Sequence, residues 1–206
     1  MKHIKAAALT IWFSWRNHWF GLILAITIIA LGFADTSIQN TLRYDRPAIL
    51  SYELWRIITA HLVHLGWSHL LMNLAGLVMV FFFFGTFLKS IQWFFVFFIS
   101  ALGTSILLLQ LNPQLIWYVG LSGVLHGFFI AGGIADIKVN PKEAYVFLTL
   151  IIGKLMWEQL YGPLPGSEAT AGGYVIVDAH FFGAIWGALA LVIISLTSKR
   201  LVIRRQ

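Results

Sequence analysis

The sequence predicts an all-α membrane protein, a bundle of six helices crossing a bilayer. Three observations carry that expectation. The 206-residue chain is 59% hydrophobic and only 11% charged, with a mean hydropathy of +0.83, and a soluble domain of that composition would lack the polar surface to cover its core. The apolar residues gather into six runs near the length needed to cross hydrocarbon, about 20 residues. The lysines and arginines fall between and beyond those runs, as they do in cytoplasmic loops of membrane proteins. The formal charge of +6 therefore reads as topology, and the basic end "KRLVIRRQ" as helix anchoring, with no nucleic-acid partner expected. The chain has no cysteine, which excludes disulfides and thiolate metal sites.

The first run covers residues 18–34. Residues 1–18 place Trp12, Trp15, Arg16 and His18 where a cleavable signal would be apolar, so the first run is expected to serve as an uncleaved signal. Residues 35–56, "DTSIQNTLRYDRPAILSYELWR", form the longest polar interval, with enough Leu, Ile, Tyr and Trp to pack at the membrane interface. The remaining runs are 67–87, 91–110, 117–135, 143–161 and 175–197. They are separated by turns or loops rich in Pro, Gly and Asn at 111–114, 137–142 and 162–173. One domain over residues 1–206 is expected. No internal repeat is visible, which argues against a secondary transporter. With the N-terminus cytoplasmic, ten of the fourteen Lys and Arg residues fall inside, three (Arg43, Arg46, Arg56) fall outside, and Lys154 lies within a helix. Both termini are thus expected in the cytoplasm, with 35–56 and 162–173 on the outer side.

Ionisable groups within a membrane are costly, so each is a functional candidate. The second run holds His69 and Asn73 on one helical face, the fourth holds Ser122 and His126, the fifth Lys154 and Glu158, and the sixth His180. Counting residues from the outer ends places Ser122 and His180 at similar depths. A lone serine in such a helix usually bonds back to a carbonyl one turn earlier, and a lone histidine is more often a helix contact than a catalyst. His61 and His64 read as packing at the outer interface, and Lys154 with Glu158 as a mutually neutralising pair one turn apart. Polar groups at similar depth in three helices favour a site. Small residues recur every fourth position beside the candidates, as Gly123, Gly127 and Ala131 in one run and Ala179, Gly183 and Gly187 in another. Such stripes let membrane helices pack backbone to backbone.

This set supports acyl-transfer chemistry. Ser122 attacks, His180 takes its proton, and His69, Asn73 and the backbone N–H of Ser122 hold the oxyanion. Asp178 is two residues from His180 and on another face, so no third acid is expected and the arrangement reads as a dyad. The soluble nucleophile elbow is excluded because Val124 stands where G-x-S-x-G needs its last glycine. A metal protease on His69, His126 and His180 would lack the H-E-x-x-H arrangement, with Glu158 the one nearby acid.

"GLSG" at 120–123, "HLGWSHLLMN" at 64–73, "AHFFGAIWG" at 179–187 and "ELWR" at 53–56 together resemble the rhomboid family of intramembrane serine proteases, in the family's order, from about residue 18 to 197. The resemblance implies a six-helix rhomboid-like bundle with Ser122 as nucleophile, His180 as base, His69 and Asn73 on the oxyanion side, and Gly120 in the loop before the nucleophile. Gly123, His126, Gly183 and Gly187 would support the site. His126 departs from the tyrosine many rhomboids carry there. "GLSGVLHG" and "KLMWEQLYGP" look like the rhombosortase branch, whose members are thought to process bacterial proteins ending in Gly-Gly, a hydrophobic helix and a basic tail. That implies membrane-anchored protein substrates with a C-terminal transmembrane segment, the lipid bilayer as the other partner, no cofactor, a bacterial inner-membrane location and an active site facing the periplasm. It also leaves open transfer to an amine other than water. Two other readings stay on the table: an inactive rhomboid-like protein that binds membrane clients, and a small proton-coupled transporter using His69, His126, Lys154 and Glu158.

Overall fold

The computed structural model describes residues 15–197. Trp12 and the basic residues Lys2, Lys5, Lys199, Arg200, Arg204 and Arg205, on which the signal and orientation readings lean, lie outside the described residues, as does the side chain of Arg16. The fold is all-α apart from one two-residue strand pair. In chain order the elements are α1 (Trp15–Gly32), α2 (Thr36–Leu42), β1 (Tyr44–Asp45), α3 (Arg46–Leu50), α4 (Arg56–Thr59), α5 (Trp67–Phe84), α6 (Ser90–Leu111), β2 (Trp117–Tyr118), α7 (Ser122–Asp136), α8 (Pro141–Tyr161), α9 (Ser167–Ala171) and α10 (Val177–Thr197).

Among the described residues, α5, α6 and α10 are long and apolar enough to cross a membrane, and α1 contributes a shorter apolar stretch, His18–Gly32. Helix α8 has the length, 21 residues, but carries Lys142, Glu143, Lys154 and Glu158. Helix α7 is only 15 residues long. It starts at Ser122 rather than at 117, because Trp117 and Tyr118 leave the helical path to pair antiparallel with Asp45 and Tyr44. Ser122 is therefore the first residue of its helix, not five residues into it.

Helix α7 is buried on nearly every side, as Gly123 through Phe128 and Ile130 through Gly133 are all enclosed. A helix apolar all round belongs in the middle of a bundle. Phe128 sets its ring against Phe20 of α1, Phe81 of α5 and Trp93 of α6, at centroid distances of 6.4, 6.4 and 5.4 Å. On its other side α7 meets α10 with no side chain between. A Cβ on Gly183 would strike the carbonyl oxygen of Gly123, one on Gly187 the backbone of Gly127, and one on Gly123 would lie 2.8 Å from the carbonyl oxygen of Ala179. The two small-residue stripes thus face each other, and van der Waals packing of bare backbone joins the helices.

The 35–56 interval is built rather than extended. Arg56 is buried and gathers it: Nη1 donates to the carbonyls of Asn40 and Arg43 at 2.7 and 2.9 Å, and Nε to Glu53 Oε2 at 2.8 Å. Asp35 and Asp45 cap α2 and α3, each accepting an orphan N–H of a helix start. Beyond α4, His61 is fully enclosed, with Nε2 at 3.1 Å from the Ala101 carbonyl and 3.0 Å from Ser105 Oγ. Burial pushes its imidazole down to about 4, so it stays neutral and donates through Nε2. The 162–173 loop folds its middle into α9, and the hydroxyl of Ser68 at the start of α5 donates to the Thr170 carbonyl.

The glycine contact yields a paired expectation. Gly183→Ala forces α7 and α10 apart at a site with no slack, costing about 1–3 kcal/mol, whereas Gly153→Ala, with nothing within 4 Å of its Cβ, is neutral or stabilising by about 0.5–1 kcal/mol. Thermal midpoints of the two variants in detergent check this.

Candidate active site

Ser122, His180 and Glu158 converge at one end of α7, α10 and α8. Ser122 stands at the N-terminus of α7, where the first backbone N–H groups have no intrahelical acceptor. Its place is set from behind: Gly120 N–H donates to the Ala60 carbonyl at 3.0 Å, and Tyr118 Oη to the Gly120 carbonyl at 2.8 Å. Gly120 adopts φ +123°, and a Cβ there would lie 2.6 Å from Cε1 of His69. Both conditions require glycine.

His180, in the first turn of α10, places Nε2 at 3.0 Å from Ser122 Oγ. Its other ring nitrogen, Nδ1, lies 2.9 Å from Oε2 of Glu158 on α8. With Glu158 accepting at Nδ1, the proton of neutral His180 sits on Nδ1, and Nε2 is the free acceptor for the serine hydroxyl. Ser122, His180 and Glu158 thus form one hydrogen-bonded line from three helices, and the latter two are buried. An acid stands where none was expected: Glu158, read from the sequence only as the partner of Lys154, extends the pair to a Ser-His-Glu line. Asp178 is engaged elsewhere, accepting from Asn112 Nδ2. The signal that could have found Glu158 is its register on α8. Ala144, Leu148, Leu155 and Glu158 make the buried stripe of α8, and a carboxylate at the end of a core-facing stripe needs a partner inside the bundle.

The Lys154–Glu158 pair forms as expected, at 2.8 Å, but it is not closed on itself, because the same carboxylate oxygen serves His180. His126 does not compete for the serine hydroxyl. Its Nδ1 lies 2.7 Å from the Ser122 backbone carbonyl and its ring stacks on His180 at 4.3 Å. His69 and Asn73 of α5 are both buried. His69 Nδ1 accepts from the Leu65 N–H at 3.4 Å, which leaves the proton on Nε2, the atom beside Gly120. Asn73 Nδ2 donates to the His69 carbonyl at 3.1 Å and has a second N–H to offer. Gly123, Gly183 and Gly187 set the spacing of α7 and α10 that brings Ser122 to His180. His126, Glu158 and His180 also bring three ligand-type atoms within 4.8 Å of one another, and Lys154 Nζ sits among them.

A family model described as the Rhomboid domain matches residues 51–197, which takes in every residue of this site, and the chain belongs to the rhomboid family. Members of that family are generally intramembrane serine proteases that act on membrane proteins within the bilayer, and the protein is a multi-pass membrane protein. No curated protein matches the chain.

If the Glu158 contact sets the tautomer of His180, Glu158→Gln presents an amide N–H to Nδ1 and drives the proton to Nε2, where it faces Ser122. The rate at which a fluorophosphonate labels Ser122 is then expected to fall by about 10²–10⁴-fold with the fold intact by size-exclusion profile.

Proposed function

We propose that this chain is an intramembrane serine protease in which Ser122 is the nucleophile, His180 the general base and Glu158 the group that orients and charges against it. The observation that carries the reading is the line Ser122 Oγ–His180 Nε2–His180 Nδ1–Glu158 Oε2, with steps of 3.0 and 2.9 Å. His180 Nε2 takes the hydroxyl proton as Oγ attacks the scissile carbonyl carbon. The imidazolium so formed lies against the Glu158 carboxylate, which stabilises it. The oxyanion is held by the free N–H of Ser122 at the helix N-terminus, by His69 Nε2–H and by the second N–H of Asn73. Collapse expels the amine, which takes its proton from His180. Water, deprotonated by the same nitrogen, attacks the acyl carbon, the C–Oγ bond breaks, and Ser122 Oγ takes the proton back from His180. No step calls on a cofactor.

The fold has six membrane-crossing segments in this reading, with α1, α7 and α8 added to the three that length and composition single out. Helices α7 and α8 fall short of those criteria because one is enclosed by protein and the other carries the ionic partners of the site, conditions that relax the demand for a long lipid-facing apolar run. The positive-inside distribution supports cytoplasmic termini, and the resemblance to rhombosortases supports a bacterial inner membrane with the site open to the periplasm.

The substrates are membrane-anchored proteins with a C-terminal transmembrane segment. The resemblance of "GLSGVLHG" and "KLMWEQLYGP" to rhombosortases supports a substrate with a Gly-Gly junction, hydrophobic helix and basic tail. Glycines at the junction unwind a helix end at low steric cost and let the carbonyl approach a half-buried serine. Intact-mass analysis of such a substrate incubated with the purified protein, beside Ser122→Ala, tests the reading. Cleavage by wild type alone is expected, and the product mass reports the cut position and whether water or another amine accepted the acyl group. Cleavage of a general rhomboid substrate with the Gly-Gly substrate untouched removes the rhombosortase assignment. Cleavage of neither favours a client-binding role.

A further inference from the structure

Two ionisable side chains beside the catalytic line have no part in the mechanism above. Lys154 Nζ donates to Glu158 Oε2 at 2.8 Å and to His126 Nε2 at 2.7 Å. An ammonium has only donors, so His126 Nε2 is the acceptor and the imidazole proton is on Nδ1, which donates to the Ser122 backbone carbonyl at 2.7 Å. Lysine thereby fixes both the tautomer and the neutral state of His126. That ring lies nearly parallel to His180, with an interplanar angle of 22° and centroids 4.3 Å apart, and forms the floor beneath the base. Lys154 Nζ thus lies among His126 Nε2, Glu158 Oε2 and His180 Nδ1, at 2.7, 2.8 and 3.3 Å.

We propose that Lys154 is a positioning residue for the proteolytic reaction, acting through Glu158 and His126 to keep the acid ionised and the ring under His180 neutral. The inference rests on the reading of Ser122 and His180 as nucleophile and base. Glu158 is 3% exposed, and a buried carboxylate beside neutral imidazoles takes up a proton unless a cation accompanies it. A protonated Glu158 cannot stabilise the imidazolium. Lys154 also bounds the gain. Its Nζ is 3.3 Å from His180 Nδ1, a contact between two donors that opposes a permanent charge on His180. The groups that enclose it are Glu158 from its own helix, His126 from α7 and His180 from α10, and His69 of α5 is the further titratable group on the His180 side.

The test compares wild type, Lys154→Met, Lys154→Arg and Ser122→Ala in fluorophosphonate labelling and in kcat and KM for a cleaved transmembrane substrate across pH. The methionine variant is expected to lose about 10²-fold in kcat with KM within about twofold. The acidic limb of its activity profile should move to higher pH, because a proton joins the Glu158–His180 pair more readily once the ammonium is gone. Arginine should restore part of kcat and return the limb towards its wild-type place. Wild-type kcat and an unmoved profile in Lys154→Met overturn the inference. Should that variant not fold, Lys154→Gln keeps neutral donors in place of the charge and is read the same way. If Ser122→Ala is labelled and cleaves like wild type, it is the assignment of the nucleophile that fails.

Discussion

Everything at the site depends on the closeness of two helices. Ser122 belongs to α7 and His180 to α10, and their side chains meet at 3.0 Å only because Gly123 and Gly127 lie directly on Gly183 and Gly187. Lipid tails are as apolar as leucine, so hydrophobic burial does not bring membrane helices together. Removing the side chains does, by letting the backbones touch from Gly123 to Gly127 on α7 and from Ala179 to Gly187 on α10. The same contact fixes rotation as well as distance, since a twist of either helix would put a Cβ into the opposing backbone. Ser122 and its hydrogen-bond partner are thus held on a seam of bare backbone rather than on a loop.

The second constraint is electrostatic. Lys154, Glu158, His126 and His180 form one connected cluster, with a single carboxylate oxygen shared by an ammonium and an imidazole. At rest the cluster sums to zero: one cation, one anion and two neutral rings. Transfer of the serine proton would create a positive charge on His180 and a negative one on the oxyanion, so the neutral sum is kept through the reaction. In a low-dielectric interior, where an unbalanced charge costs several kcal/mol, that conservation matters more than the strength of any one contact. The asymmetry is useful too: Glu158 is closed off while the Lys154 side chain keeps 24% of its surface exposed, so the cation retains some hydration and the acid does not need any.

Much of this was legible in the residues themselves. Hydropathy marked the long helices, and small residues at every fourth position marked the α7–α10 seam, because both are periodic features of one chain segment. Similar depth then brought Ser122 and His180 together. The acid escaped the same reasoning. An i, i+4 lysine gave Glu158 a local partner, and no pattern in one helix tells how many partners a carboxylate oxygen will have from others. The start of α7 escaped as well. "LIWYVG" is apolar enough to continue a helix, but pairing with Tyr44 and Asp45 supplies its backbone with hydrogen bonds from a segment some seventy residues earlier, and tertiary pairing of that kind overrides local propensity. His126 was readable as present but not as placed. Its Nδ1 could have faced the serine hydroxyl, and only the lysine at Nε2 settles which way the ring serves.

The short strand pair explains how the polar 35–56 interval bears on the site. Arg56 collects the carbonyls of that interval, and Thr59 Oγ1 donates to the Leu42 carbonyl at 2.6 Å, so α4 is tied to α2 and to the residues just before β1. β1 holds β2, and the Ala60 carbonyl just after α4 holds the Gly120 N–H. Two independent ties therefore run from one anchored loop to the five residues ahead of Ser122. Without them the glycine at φ +123° would have no reason to hold its turn, and the N–H of Ser122 would not be pinned at the helix mouth. A hydroxyl can be brought to a histidine by helix packing alone. Presenting its own N–H to the same developing charge needs the chain before it fixed as well, and that is what a loop outside the helical bundle contributes.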